Sequence, residues 1–100
     1  MEKEKWLSCA IGPGQFSEEL AISGDTFDGQ GFSLFVPENF VQRDGGTDEH
    51  GKSTGWVRVV EIDREGELVL VRLPRQTLGN GSTITVSANE LEENASRQEA

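Results

Sequence analysis

Tyrosine is absent from this 100-residue chain, cysteine and histidine occur once each, and proline occurs three times. A lone cysteine, Cys9, excludes an internal disulfide and a cysteine-built zinc site, and it reads as a small buried hydrophobe. No apolar run reaches the length of a membrane span, and the N-terminal MEKEK lacks the apolar region of a secretory signal. The default expectation is therefore a cytoplasmic protein that does not enter a membrane. Basic residues are scarce, 9 Lys and Arg against 18 Asp and Glu, and the net charge of −9 repels nucleic-acid phosphate and anionic lipid. Apolar residues make up only 34% of the chain, which is low for a globular protein. One hundred residues make one domain, which buries roughly 60–68% of its unfolded surface. That supports one modest core and no deep, multi-layered active site.

What the chain does have is a hairpin. From Gly55 to Pro74 it reads GWVRVVEIDREGELVLVRLP. The runs Trp56–Ile62 and Leu68–Leu73 flank a polar turn, Asp63-Arg64-Glu65-Gly66, and Val and Ile suit a pleated surface. Gly66 can supply the positive φ of a type I turn with a bulge. The period of two places Val57, Val59, Val69, Val71 and Leu73 on the inward faces, with Trp56, Arg58, Val60, Leu68, Leu70 and Arg72 opposite. Neither face is cleanly polar, so both need at least partial cover.

Around this hairpin the chain divides into a charged tail, 1–5, a single β domain, 6–91, and a polar tail, 92–100. Trp6–Ile11 reads as a strand broken by Gly12-Pro13-Gly14. Glu18–Ser23 follows with Leu20 and Ile22 on one face, then a hairpin loop at Gly24–Gly31. Phe32–Val36 carries Phe32, Leu34 and Val36 on one face and stops at Pro37. Glu38–Val41 reads as a single turn returning Phe40 and Val41 to the core. Gln42–Thr54 has three glycines and no strongly apolar residue, and is expected to be a mobile loop with His50 titrating near ~6.5. Ser82–Val86 is the last strand, with Ile84 and Val86 inward. Ser87-Ala88-Asn89-Glu90 fits a capping box that starts a short helical turn and buries Leu91. The segment Leu34–Val41 resembles Ile84–Leu91: a strand ending in Val, a turn with Asn at the same offset, then an apolar anchor. This reads as two strands that end alike.

Five or six short strands, glycine-rich connections and no amphipathic helix describe an all-β barrel or roll. The long loops, the tight central hairpin and the final strand after a short turn make Phe16–Leu91 similar to an SH3-like barrel. An SH3 domain proper would add an Ala-Leu-Tyr-Asp-Tyr-like start and paired tryptophans. Without tyrosine, recognition of proline-rich peptides does not carry over.

Chemistry is sparse. Asp44, Asp48, Glu49 and His50 can bind a divalent metal if the loop folds around it; a solvated loop is the simpler reading, because catalysis needs rigid positioning. Asp25 and Asp28 miss the EF-hand spacing. Gly12-Pro13-Gly14 and Gly29-Gln30-Gly31 are too short for phosphate loops, and no nucleophile elbow is present. Arg58, Arg64, Arg72 and Arg75 lie among Glu61, Asp63, Glu65 and Glu67, which favours cross-strand pairing over a nucleic-acid platform. No cofactor is expected. The leading expectation is a non-enzymatic protein-interaction module contacting its partner through exposed aromatics: Trp56 first, Phe16 second, with Trp6 and Phe27 as further candidates. A metal-dependent or enzymatic site around 44–50 is the alternative. An acidic inhibitor or nucleic-acid mimic of the kind mobile elements encode is the minor one.

Overall fold

The computed structural model describes residues 3–16, 18–45, 52–75, 77, 79 and 81–93. The strands are β1 (Lys3–Pro13), β2 (Glu19–Asp25), β3 (Gly31–Pro37), β4 (Val41–Arg43), β5 (Ser53–Glu65), β6 (Leu68–Arg72), β7 (Thr83–Ser87) and β8 (Leu91–Glu92). Two 3₁₀ turns, Glu38–Phe40 and Ala88–Glu90, precede β4 and β8. All eight strands join one curled antiparallel sheet, a half-barrel, in the order β3-β2-β1-β5-β6-β7, with β4 added to β5 and β8 to β1. The all-β reading holds. The strand count exceeds the expected five or six because β1 and β5, 11 and 13 residues long, each serve more than one neighbour. Among the described residues no helix is long and apolar enough to cross a membrane.

Alternation decides what is buried. Leu7, Cys9 and Ile11 of β1, Leu20 and Ile22 of β2, and Phe32, Leu34 and Val36 of β3 point inward. They meet Val57, Val59, Val69, Val71, Leu73, Ile84 and Val86 in one core. The hairpin faces are as the period of two requires: Trp56, Arg58, Val60, Leu70 and Arg72 are half-buried on the outer face, and Leu68 is exposed.

The likeness of Leu34–Val41 to Ile84–Leu91 extends through all eight strands of the described residues. β1-β2-β3-turn-β4 and β5-β6-β7-turn-β8 are two copies of one unit. Trp6 and Trp56, Leu7 and Val57, Leu34 and Ile84, and Val41 and Leu91 are equivalent at an offset of 50 residues, and Leu20 and Val69 at 49. Equivalent contacts recur: Glu38 N–H donates to the Glu18 carbonyl at 3.0 Å, and Ala88 N–H to the Glu67 carbonyl at 2.8 Å. Leu7 pairs with its own equivalent, Val57, across the β1–β5 ladder, so a local two-fold axis passes between them. The closing strands are exchanged: β4 of the first half pairs with β5 of the second, and β8 of the second with β1 of the first.

Several local expectations are corrected. β1 runs through Gly12 to Pro13, which pairs with Leu20 of β2; Pro13 lies past the last residue of β1 that pairs with β5, Ile11, where a missing N–H breaks no ladder bond to that strand. Lys3–Lys5, read as tail, begin β1, and Glu92 belongs to β8. Gln42 and Arg43 form β4, and Ser53 and Thr54 begin β5, so the loop read at 42–54 is shorter. The central turn is the two-residue Gly66-Glu67, since Glu65 pairs with Leu68; Gly66 has φ +63°. Asp63–Glu65 stay in β5, and the bulge sits at Ile62 rather than in the turn. The Ser87 side chain makes no capping bond to its 3₁₀ turn. Val41 and Leu91 pack on the core, but Phe40 lies on the outer side under the Arg58 guanidinium, 4.6 Å from ring centroid to Cζ.

The two ends of the central ladder are sealed differently. At one end Ile11 lies against Gly55, where a Cβ would approach the Gln42 carbonyl oxygen to 2.1 Å and Ile11 Cδ1 to 2.9 Å. At the other end the equivalent positions are Glu61 and Lys5, with Lys5 Nζ 3.7 Å from Glu61 and 3.2 Å from Glu93. Arg64, 3.3 Å away, donates to Glu61 and holds its carboxyl below the ordinary value, with Lys5 adding to the effect against the cost of burial.

Val59→Ala or Val71→Ala is expected to destabilise by about 1–3 kcal/mol, read from the denaturant midpoint at unchanged slope. A negligible shift would contradict the inward face. Because the folded pKa of Glu61 lies below the ordinary 4.5, its ion pairs stabilise above that pH and are lost as pH falls through the lowered value. Glu61→Gln is therefore expected to lower Tm at neutral pH and to flatten the loss of Tm on acidification below about pH 4.5. Parallel wild-type and variant curves would contradict this.

Candidate functional site

The β2–β3 hairpin tip, Thr26–Gln30, is knitted by one threonine. Thr26 N–H donates to the Gln30 carbonyl at 2.8 Å, Gly29 N–H donates to the Thr26 carbonyl at 3.0 Å, and Gln30 N–H donates to Thr26 Oγ1 at 3.2 Å. The Thr26 hydroxyl donates to the Asp28 carboxylate and holds its pKa below the ordinary value. This tip folds over the far end of the sheet, where Phe27 N–H donates to the Thr85 carbonyl of β7 at 2.9 Å. The bond blunts part of the β7 edge. It also fixes Phe27, whose side chain is 49% exposed.

Two concave surfaces meet at Phe27. On the outer face of β6 and β7, Phe27, Leu68, Leu70 and Thr85 border a groove of about 300 Å³ whose other wall is Asp63, Arg64 and Glu65. Leu68 is 36% exposed. On the other side of the tip lies a cleft of about 780 Å³, lined by Ser8, Ser23, Asp25, Phe27, Phe32 and Glu90 among others. It opens where β1 changes neighbour: β8 covers Trp6 and Leu7, and β2 takes over from Ala10. Cys9 lines this cleft but is buried, and desolvation pushes its thiol up to about 12. At neutral pH it is therefore a thiol and a poor nucleophile.

The aromatics singled out in the sequence do not gather into one patch. Trp56 is half-buried on the outer face, opposite Ser8 on one side and Gln42 on the other. Trp6 sits likewise between Arg58 and Glu92. Phe16 is 73% exposed in the β1–β2 connection. Pro13 lies five steps along β1 from Ser8, roughly 16 Å of strand, so Trp56 and Phe16 are separate features. Of the metal-ligand set, Asp44 is exposed and its N–H donates to the Thr54 carbonyl at 2.9 Å; Asp48, Glu49 and His50 lie outside the described residues. Among the described residues no three His, Cys, Asp or Glu side chains stand where they would hold a metal ion. In place of the expected cross-strand pairing within the hairpin, Arg58 pairs across strands with Glu4 of β1 at 3.6 Å, and Arg64 pairs with Glu61 of its own strand at 3.3 Å. Sequence reasoning did not find the joining of Phe27 to Leu68 and Leu70, nor the cleft; an apolar Phe27 in an otherwise polar turn was the available signal.

Cys9 is expected to react slowly with iodoacetamide at pH 9 in the folded protein and rapidly in denaturant, followed by mass spectrometry. Equal rates would contradict its burial. Comparison with protein-family models, with curated proteins and with solved structures gives no match.

Proposed function

We propose that this chain is a non-enzymatic protein-binding module on an SH3-like framework, with its contact surface at the Phe27 groove. The SH3-like reading is supported by the order within each half, three meandering strands, a 3₁₀ turn and a short closing strand. The observation that carries the binding reading is a large apolar side chain that is exposed on an anchored backbone. Phe27 is anchored by its own backbone bond to Thr85 and by the Thr26 knot beneath it. An aromatic on an already ordered backbone leaves only its side chain to order when a partner covers it. Beside it Leu68 and Leu70 continue the apolar strip, and Asp28, Asp63 and Glu65 outnumber Arg64 around it. That surface suits a partner segment with an apolar side chain flanked by Lys or Arg. The absence of a catalytic step is part of the proposal, supported by the buried, protonated Cys9.

A displayed random-peptide library selected on the wild-type protein tests this. Selected peptides are expected to pair an apolar residue with basic neighbours. Phe27→Ala is expected to weaken them at least tenfold, about 1.4 kcal/mol; Trp56→Ala and Phe16→Ala should leave affinity within about twofold. Peptides indifferent to Phe27→Ala, or dependent on Trp56 or Phe16 instead, would overturn the groove assignment. A selection that enriches nothing would overturn the module.

A further inference from the structure

The internal two-fold gives the β1 cleft a counterpart within the same molecule, where β5 passes from β4 to β6 at Arg58 and Val59. The two places share a backbone plan but carry opposite chemistry. Arg58 stands where the cleft has Ser8, Arg72 where it has Ser23, Pro74 where it has Asp25, and Phe40 where it has Glu90. The cleft has two acids and no base at these four positions, and its counterpart has two bases and no acid. The counterpart is occupied from within: the Arg58 guanidinium lies over Phe40 at 4.6 Å and within 3.6 Å of Glu4. In the cleft, Ser8 is too short to reach across, and a volume of about 780 Å³ remains.

The core beneath the two places differs as well, since large and small residues have changed strands: Phe32 packs across from Gly24 in the first half, where a Cβ would come within 3.0 Å of its ring. In the second half Leu73 takes the place of Gly24 and Ser82 the place of Phe32, joined by the bond from Leu73 N–H to the Ser82 carbonyl. Gly24 lines the cleft where Leu73 is buried in the other half, so this exchange adds to the difference that Ser8 and Arg58 make on the outer face.

We infer that the β1 cleft takes an alkyl-linked cation, a guanidinium or ammonium, in the place that Arg58 occupies in the other half. Asp25 and Glu90 supply the opposing charge, the serine hydroxyls accept hydrogen bonds, and the exposed Phe27 offers a face to the alkyl stem. This rests on the proposed function for the source of the cation: Phe27 borders both surfaces, so a basic side chain next to the apolar anchor of a partner segment would reach the cleft. A free polyamine has the same chemistry.

The test is a titration of the ¹⁵N-labelled full chain with L-arginine amide and, separately, with spermine, at a salt concentration that screens scattered surface charge. Saturable shifts are expected at the amides of Ser8, Ser23, Asp25 and Glu90. Ser8→Arg, which supplies the missing guanidinium from within, is expected to abolish them, and Asp25→Asn with Glu90→Gln to weaken them at least tenfold. Glu38→Gln, outside the cleft, should change nothing. Tighter binding of arginine amide identifies a basic side chain as the guest, and tighter binding of spermine a polyamine; either supports a cation site. Shifts that spread over the acidic surface without saturating, or that persist unchanged in Ser8→Arg, would overturn it. Saturable shifts retained while the displayed peptides ignore Phe27 would uphold the cleft and remove the groove.

Discussion

The ladder between β1 and β5 is the constraint on which the remaining structure depends. It aligns Lys3–Ile11 with Ser53–Glu61, and every other strand is attached, directly or through one neighbour, to one of these two. A slip of one residue would set Leu7 opposite Trp56 or Arg58, so that the inward set of one strand, Leu7, Cys9 and Ile11 or else Val57 and Val59, would turn to the outer face. The register is therefore set by burial, and the self-pairing of Leu7 with Val57 makes it symmetric. Once it is set, the hairpins β1–β2 and β5–β6 follow equivalent paths, and the two 3₁₀ turns bring their closing strands to equivalent edges.

Symmetry in the backbone then makes asymmetry in the side chains informative. One end of the ladder is sealed by Ile11 against Gly55 and the other by Lys5 and Glu61. One strand-change point is filled by Arg58 over Phe40, the other left open between Ser8 and Glu90. In each pair the framework is the same and only the chemistry has moved. This separates what the fold needs from what it merely carries.

The period-two strands were legible because their signal is local. Leu20 and Ile22, Phe32 to Val36, Val69 and Val71, and Ile84 and Val86 each state their face within a few residues. β4 and β8 were not, because two or three residues have no pattern of their own and become strands only on reaching β5 and β1. Gly12 and Pro13 read as a break because the sequence cannot say that β1 has already left β5 there. Ile62 was hidden for the same reason, since a bulge is a mismatch between two strands. Of the candidate surfaces, Phe27 could be named but not its neighbours: Leu68 and Leu70 are some forty residues away in the chain and meet it only through the Thr85 bond. The cleft is a relation between the two halves and is written in neither alone.

The exchange of β4 and β8 means that neither half is a domain in its own right. Each supplies the strand that finishes the other, like two hands clasped at the fingers. Opening one half strips a strand from the other, so the molecule should come apart in a single concerted event. A backbone cut between residues 45 and 52 would leave two fragments still interlocked.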